Sequence, residues 1–285
     1  MKYTKCKLPQ SCGHEVTIYT SHHDPTHCFT ETKDGTLKII AKFDWLPRHV
    51  FGKCAALCAV MRMMFLALWV CLSLTADVFI VDQVSACIPI LKWCSSSKTL
   101  FYCHFPDMLL TQRVTLLKTL YRKPLDWLEG WSTSIADKIF VNSKFTEGIV
   151  KLTFPQISDC DILYPSLNFE KFESSDEIVC DLIPGSAETV FLSMNRYERK
   201  KSISLALQAF ASLQRSLSDT QYKKCHLIIA GGYDPRVVEN VEYHLDLTEL
   251  ADQLKISDQV TFLRSVDDDT KLYLLRNATG KLIEY

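Results

Sequence analysis

The sequence lacks the features that define several large classes of protein. Its twelve cysteines include no C-x-x-C pair, which argues against a structural zinc site or a thioredoxin-like redox motif. Its first residues, MKYTKCKLPQSCGHEV, lack the apolar core of a secretory signal peptide, so we expect reduced cysteines rather than a disulfide framework. Its net charge of −1 provides no overall attraction to nucleic acid, and any basic binding site must therefore be local.

Side chains that could bind a metal are present, but their arrangement follows no recognised pattern. One cluster follows the first predicted strand and consists of His22, His23, Asp24 and His27. Its spacing does not match a known set of metal ligands. Cys71, Cys87 and Cys103 lie inside apolar runs, where free cysteine packs as a small hydrophobic residue. We therefore expect no metal centre.

Strand-like apolar runs alternate with helix-like segments along the whole chain. The predicted strands are 15–20, 37–43, 77–82, 99–104, 138–142, 161–165, 189–195, 225–232 and 259–263. The predicted helices are 54–76, 83–93, 143–154, 199–216, 235–255 and 267–277, and residues 115–137 are predicted as two helices divided near Pro124. This alternation predicts an α/β protein with two doubly wound parallel sheets, whose ligands bind at the carboxyl ends of the strands.

The chain is predicted to contain two domains and a linker. Residues 166–188 are polar, contain Pro184 and Gly185, and show no long hydrophobic period. They separate a first domain, 1–165, from a second domain, 189–285.

The segment 54–76 is the longest apolar stretch, and Arg62 is its only charged residue. The uncharged part, 63–76, would be about 21 Å long as a helix, shorter than a hydrocarbon core of about 30 Å. The whole segment is long enough to span, but the gain from its apolar side chains roughly equals the penalty for a central arginine. The sequence therefore leaves open a buried helix, a helix in the membrane interface and a transmembrane helix.

A cluster of cations follows the strand 189–195 directly. Its members are Arg196, Arg199, Lys200 and Lys201, and the run that follows has helical spacing. A strand, a short loop and a helix form the unit that binds phosphates in α/β sheets, and cations at a helix start strengthen such a site. The cluster indicates an anion site, although a solvated basic surface would show the same pattern.

Two further loops follow predicted strands and can contribute to a site. His104 and Asp107 come after the strand 99–104, and histidine can donate a hydrogen bond to a hydroxyl or a developing charge. Gly231 and Gly232 end the strand 225–232, and glycine allows close approach of the backbone to a phosphate or a ribose. An ordinary loop histidine and a plain tight turn are the alternatives.

Seven sequence motifs resemble one known family when they are taken together. They are FDWLPR, VDQVSACIP, FYCHFPD, VNSKFT, LYPSLN, NRYERKKS and AGGYD, in this order. They resemble the retaining, glycogen-synthase-like glycosyltransferases of family 4, and within it the mannosyltransferases of the dolichol pathway. The resemblance extends from about residue 12 to about residue 277.

The resemblance implies a fold, a reaction and a location. The fold is GT-B, with two Rossmann-like domains that face each other across a cleft. The reaction transfers α-1,3- and α-1,6-linked mannose from GDP-mannose to Man1GlcNAc2-PP-dolichol, with retention and without a metal or another cofactor. The location is the cytosolic face of the endoplasmic reticulum membrane, with membrane contact through 54–76. Other early mannosyltransferases of the pathway are possible partners, and nucleic acid is not.

The resemblance also implies roles for individual residues. Arg196 and Lys201 match the residues that bind the donor diphosphate, and His104 matches the catalytic histidine that faces the transferred sugar. Gly231 and Gly232 match the loop beside the nucleotide. Asp107 lies in the same motif as His104 and is a candidate for the acceptor side.

The two ends of the chain depart from the family pattern. Nothing before Cys12 resembles the first apolar strand and its glycine-rich loop. After Asn277, where the family continues with a strand and a pair of glutamates, the chain ends in GKLIEY soon afterwards. We therefore expect both sheets to be incomplete. A catalytically inactive, truncated product that retains only membrane or partner binding is the first alternative, and a hexosyltransferase with a different lipid acceptor is the second.

Overall fold

The computed structural model describes residues 12–24, 28, 30–50, 54–111, 113, 115–165 and 182–282. The chain divides into two compact units, Met1–Asn168 and Phe169–Tyr285. Both units are built from parallel strands and helices, as the alternating sequence pattern predicts.

The first unit contains two separate parallel sheets. Its elements are β1 (Thr17–Thr20), α1 (Thr30–Lys33), β2 (Lys38–Ala41), α2 (Ala55–Ser73), β3 (Val78–Asp82), a 3-10 turn (Ser85–Cys87), α3 (Ile88–Cys94), β4 (Lys98–Cys103), α4 (Asp107–Leu110), α5 (Leu116–Ser134), β5 (Lys138–Val141), α6 (Lys144–Thr153) and β6 (Asp161–Ile162). One sheet has the order β3-β4-β5-β6, and the other consists of β1 and β2. Among the described residues, no strand joins β1 and β2 to β3–β6.

The larger sheet of the first unit is covered by apolar side chains. Val141 of β5 and Val150 of α6 are completely buried in one cluster, together with Phe101 of β4. Ser143 begins α6, and its hydroxyl accepts a hydrogen bond from the Thr146 N–H at 3.2 Å, as its position before the helix predicts.

The helix α5 corrects the prediction of two helices divided near Pro124. The structure has one helix from Leu116 to Ser134, with Pro124 inside it. Proline has no N–H for the carbonyl four residues earlier, and this loss usually breaks a helix. Here that carbonyl belongs to Leu120, whose side chain is exposed, so water can solvate the carbonyl that Pro124 leaves without a donor.

The second unit is a doubly wound parallel sheet. Its elements are β7 (Thr189–Met194), a 3-10 turn (Arg199–Lys201), α7 (Ser204–Leu213), α8 (Asp219–Tyr222), β8 (Cys225–Gly231), α9 (Val238–Gln253), a second 3-10 turn (Ser257–Gln259), β9 (Val260–Arg264), α10 (Asp268–Asn277) and β10 (Gly280–Leu282). The strand order is β10-β7-β8-β9. Leu227 and Ile229 of β8 pack against one set of helices, and Ile228 packs toward Leu274 of α10 on the other face.

The structure corrects one expectation for the second unit. The predicted helix 199–216 begins only at Ser204, because a 3-10 turn and Ser202, which has a φ of 48°, interrupt it. After Asn277, Gly280–Leu282 forms β10 and pairs in parallel with β7.

Helix α2 is the apolar segment whose environment the sequence left open. It is long and apolar enough to cross a membrane by length and composition, with 19 residues and a mean hydropathy of 2.2. It packs against β1, α3 and the turn before α3. Its single charge, Arg62, is buried and donates hydrogen bonds to the Ser21 carbonyl at 2.8 Å and to Asp44 at 3.3 Å. The arginine therefore does not lie on the outward face of the helix.

The outward face of α2 is a continuous apolar stripe. Its exposed members follow helical spacing and are Leu57, Met61, Phe65, Leu68 and Leu72. The helix therefore packs on the first unit by one side and presents an uncharged side to its surroundings.

The ten described cysteines are all free thiols. Cys87 and Cys103 are buried, and burial raises the pKa of each thiol to about 12. Both therefore behave as small packing residues and not as nucleophiles.

Candidate functional site: a basic loop and a histidine loop at strand carboxyl ends

In the second unit, the loop after β7 lies directly on the end of β8. The Asn195 N–H donates to the Ala230 carbonyl at 3.1 Å, and the Tyr197 N–H donates to the Gly232 carbonyl at 3.1 Å. A Cβ built on Gly231 would lie 1.6 Å from the Asn195 carbonyl oxygen. Gly231 therefore leaves room for the loop after β7, residues 195–203, which we call the basic loop. The predicted nucleotide loop and the predicted diphosphate loop are in direct contact.

Three of the four clustered cations already have acidic partners. The Arg196 guanidinium and the Lys200 amine each lie 2.9 Å from a carboxylate oxygen of Glu198. Arg199 lies 2.6 Å from Asp246. Lys201 is half-buried and makes no ion pair within residues 182–282. Its amine is therefore the charge of this cluster that is available for an anion.

Tyr197 anchors this loop to the core. It is completely buried, and its hydroxyl lies 3.1 Å from the carbonyl oxygens of both Ile229 and Leu263. The Asn240 side-chain amide donates to the Tyr197 carbonyl at 2.9 Å. Burial raises the pKa of the Tyr197 hydroxyl, which therefore stays protonated as a donor. Arg196 and Lys201 lie on either side of this buried anchor in the chain.

In the first unit, His104 lies at the carboxyl end of β4 within a closed network. Its Nε2 is 2.8 Å from Asp82 at the end of β3. The Asn142 side-chain amide donates to the His104 carbonyl at 3.0 Å, and Gln83 holds the backbone of the same loop at His104 and Phe105. Asp82 therefore orients the imidazole ring, and residues at the ends of three neighbouring strands support it.

Asp107 contacts charged groups of α5 instead of projecting freely. Its carboxylate is 2.8 Å from the buried Arg122 guanidinium, which also lies 2.9 Å from Asp126. The Asp107 N–H donates to Glu129 at 2.6 Å. The predicted acceptor-side role of Asp107 stays a prediction, and the structure adds a structural one, since Asp107 joins α4 to α5.

The histidine cluster after β1 is engaged in other contacts. His22 lies 2.9 Å from the Asp44 carboxylate, and this hydrogen bond holds the pKa of Asp44 below its usual value. His27 lies outside the described residues. Among the described residues, no three His, Cys, Asp or Glu side chains are grouped to hold a metal ion. The expectation of a reaction without a metal stays a prediction.

Known proteins resemble this chain along most of its length. The family model for glycosyl transferases group 1 matches residues 181–280, the unit that contains the basic loop. The human alpha-1,3/1,6-mannosyltransferase ALG2 is 47% identical over 278 residues, which cover 95% of this chain and 66% of that protein. The ALG2 protein of Dictyostelium discoideum is 39% identical over 283 residues, which cover 93% of this chain and 67% of that protein. This chain belongs to the ALG2 family.

Solved structures show the fold of this ALG2 family member. Sucrose-phosphate synthase from Thermosynechococcus elongatus matches 98% of this chain with a TM-score of 0.75 at 14% identity, and the match covers 68% of that structure. A glycosyltransferase from Rickettsia africae matches 98% of the chain with a TM-score of 0.63 at 13% identity and 66% coverage. The predicted GT-B fold is confirmed. The chain spans about two thirds of the length of the curated ALG2 relatives.

Three residues that support the candidate site of this ALG2 family member were not predicted from the sequence. They are Asp82, Tyr197 and Glu129. Asp82 and Tyr197 lie inside motifs that carried the resemblance, but nothing in their spacing indicates their partners. Asp82 contacts His104 across neighbouring strands, and Tyr197 contacts carbonyls more than 30 residues away. An aromatic residue inside a run of cations was the one local signal for a buried anchor.

Glu129 is a titratable group inside the first unit. It accepts hydrogen bonds from the Asp107 N–H and from the Met108 N–H, the latter at 2.9 Å. Burial raises its pKa to about 7, although these hydrogen bonds and Arg122 act in the opposite direction. The neutral carboxyl group is therefore favoured in the folded state below about pH 7.

This raised pKa predicts a pH-dependent stability. A carboxyl group whose pKa is higher in the folded state contributes stability below its unfolded pKa, and this contribution is lost as pH rises through about 7. The free energy of unfolding should fall by roughly 3 kcal/mol from this group alone as pH rises from 5 to 8, at about 1.4 kcal/mol per pKa unit. Glu129→Gln should flatten that decline in denaturant titrations at several pH values. Parallel profiles for the two proteins would contradict the raised pKa.

Proposed function

We propose that this chain is a retaining mannosyltransferase that adds α-1,3- and α-1,6-linked mannose from GDP-mannose to Man1GlcNAc2-PP-dolichol during synthesis of the N-glycan precursor. The ALG2 relatives support the reaction, since they are named for both linkages. The structural observation that carries the proposal is the basic loop, where Lys201 has an amine without an acidic partner among residues 182–282.

The basic loop suits the departure of GDP from the donor. As the bond from mannose to phosphate breaks, negative charge accumulates on the β-phosphate, and cations placed beforehand stabilise it most in the transition state. Lys201 supplies a free amine, and Arg196 supplies an exposed guanidinium that can exchange Glu198 for phosphate. The side chains replace a metal ion in this mechanism. Helix α7 begins only at Ser204, three residues after Lys201. In this mechanism the cationic side chains, and not the backbone N–H groups of its first turn, stabilise the phosphate.

His104 is proposed to face the transferred mannose. Its ring has a fixed orientation because Asp82 accepts its Nε2 hydrogen bond, and its backbone is fixed by Gln83 and Asn142. A neutral imidazole held in this way can accept a hydrogen bond from a sugar hydroxyl at Nδ1 without reorganising.

The membrane contact of the enzyme is proposed to run along α2. Its outward stripe carries no charge, and its arginine is turned into the protein. An uncharged apolar side of this kind suits contact with the lipid of a bilayer. The cytosolic face of the endoplasmic reticulum provides the lipid-linked acceptor, and other early mannosyltransferases of the pathway are proposed partners there.

Transfer by the purified chain tests the proposed function. The chain would be incubated with GDP-mannose and a Man1GlcNAc2-diphosphate linked to a short saturated lipid, and the products would be digested with linkage-specific α-mannosidases. We expect products with one and two added mannoses. GDP binding without transfer would support the inactive alternative, and transfer to a different lipid acceptor alone would support another hexosyltransferase. Either result overturns the proposal.

A further inference from the structure

Helix α5 is amphipathic in the opposite sense to an ordinary surface helix. Its fully buried residues are polar or small, and they are Arg122, Asp126, Gly130, Ser132 and Thr133. Its outward residues are large and apolar: Leu116, Leu117, Leu120 and Trp127 expose 89%, 81%, 65% and 67% of their surfaces. A helix in contact with water normally buries its apolar side. The arrangement of α5 is that of a helix whose outer side does not face water.

The outward apolar residues form a single stripe along the helix. Five of its residues are spaced three or four apart and therefore lie on the same side of the helix. They are Leu117, Leu120, Pro124, Trp127 and Trp131. The Trp127 and Trp131 rings stack with their centroids 5.7 Å apart, and the exposed Trp93 of α3 lies 6.0 Å from Trp131. We call this set, together with Leu116 and Trp93, the α5 stripe. Tryptophan is enriched where a protein surface meets lipid headgroups.

The inward polar side chains of α5 have partners, which explains why the helix is oriented this way. Arg122 contacts both Asp107 and Asp126, and Arg113 lies 2.8 Å from Asp126. Ser132 donates to the Ser85 hydroxyl at 2.8 Å. A buried and paired charge network would lose these contacts if the helix rotated its apolar side inward. The exposed stripe is therefore a stable property of the fold.

The charges of α5 are also divided between the two sides. Its acidic residues, Asp126 and Glu129, point inward, and its exposed charged residues are Lys118 and Lys123. Lys123 lies beside the α5 stripe, because it is three residues after Leu120 and four before Trp127. An exposed cation beside an apolar stripe matches the anionic headgroups of a bilayer.

Helix α5 lies beside the start of α2. The Leu57 N–H at the start of α2 donates to the Tyr121 hydroxyl of α5 at 3.0 Å. The two helices are therefore neighbours within the first unit.

We propose that the α5 stripe, with Lys123, is a second membrane-binding surface that lies in the headgroup region of an anionic bilayer beside α2. The inference extends the membrane contact proposed for α2 and does not depend on sugar transfer. It predicts that α5 contributes to lipid binding through both apolar burial and electrostatic attraction.

Vesicle flotation tests this surface. The full chain would be mixed with vesicles of phosphatidylcholine and phosphatidylserine or with vesicles of phosphatidylcholine alone. The double variant Leu117→Asp/Leu120→Asp should lower the partition coefficient on both vesicles by about tenfold or more, because two apolar anchors become anionic. Lys123→Glu should lower it mainly on the vesicles that contain phosphatidylserine.

Leu152→Asp is the matched control, because Leu152 lies on α6 of the same unit and is also 81% exposed. We expect the control to bind vesicles like the unmodified chain, and circular dichroism should show that all variants fold. Unchanged flotation of Leu117→Asp/Leu120→Asp would overturn the proposal. Analytical sedimentation without lipid would test whether the stripe instead joins two copies of the chain. A dimer that dissociates only in the α5 variants would assign the stripe to that contact and overturn the proposal of lipid binding.

Discussion

Lys201→Ala should lower mannose transfer by about a hundredfold to a thousandfold, the usual loss when one preplaced charge contact to a transition state is removed. The reason lies in the basic loop, where Lys201 is the cation without an acidic partner among residues 182–282. Because its charge acts mainly as GDP departs, kcat should fall more than the affinity for GDP-mannose. Steady-state kinetics with the lipid acceptor and calorimetry of GDP-mannose binding would measure the two effects.

Lys200→Ala provides the control within the same 3-10 turn. Lys200 is paired with Glu198 and its side chain is 69% exposed, so its loss should change transfer by no more than about twofold. Arg196→Ala should lower transfer by about tenfold or more, because Arg196 must first exchange Glu198 for phosphate. Equal losses for Lys200→Ala and Lys201→Ala would show that the loop provides only bulk positive charge and would contradict the proposed clamp.

The position of this loop could be predicted from the sequence, whereas its conformation could not. A buried strand followed by four cations is a local pattern, and the structure places the cations at the carboxyl end of β7 as expected. The start of α7 depends on distant groups instead. The Ser204 N–H donates to the Tyr243 hydroxyl of α9, 39 residues later, and the helix begins there and not at Arg199.

The two faces of α5 show the same limit in the first unit. Its sequence contains an apolar stripe and a polar stripe, and hydrophobicity alone predicts that the apolar one is buried. The structure reverses this, because Arg122 finds Asp107 from another helix and Glu129 accepts two backbone N–H groups of α4. Contacts between separate segments determine which side of α5 faces the core. The spacing of residues within 116–134 does not predict this orientation.

Gly231→Ala should abolish measurable GDP binding and lower the stability of the second unit. The added methyl group would lie 1.6 Å from the Asn195 carbonyl oxygen and 2.6 Å from its carbon, and neither backbone atom can turn away as a side chain would. The loop that carries Arg196 and Lys201 would have to separate from β8. Overpacking of this kind costs about 1–3 kcal/mol or more. Thermal unfolding and GDP calorimetry would measure the two consequences.

Gly232→Ala is the matched control at the next position. Its methyl group would lie 3.2 Å from Cγ of the exposed Arg196 side chain, which can move by changing its rotamer. We expect GDP affinity to change by less than about fivefold and the unfolding temperature to change little, since surface substitutions usually alter stability by about 0.5 kcal/mol or less. If Gly231→Ala bound GDP as tightly as Gly232→Ala, contact between the two loops would not be needed to position the cations. The diphosphate site would then have to be built from Lys201 and its own turn alone.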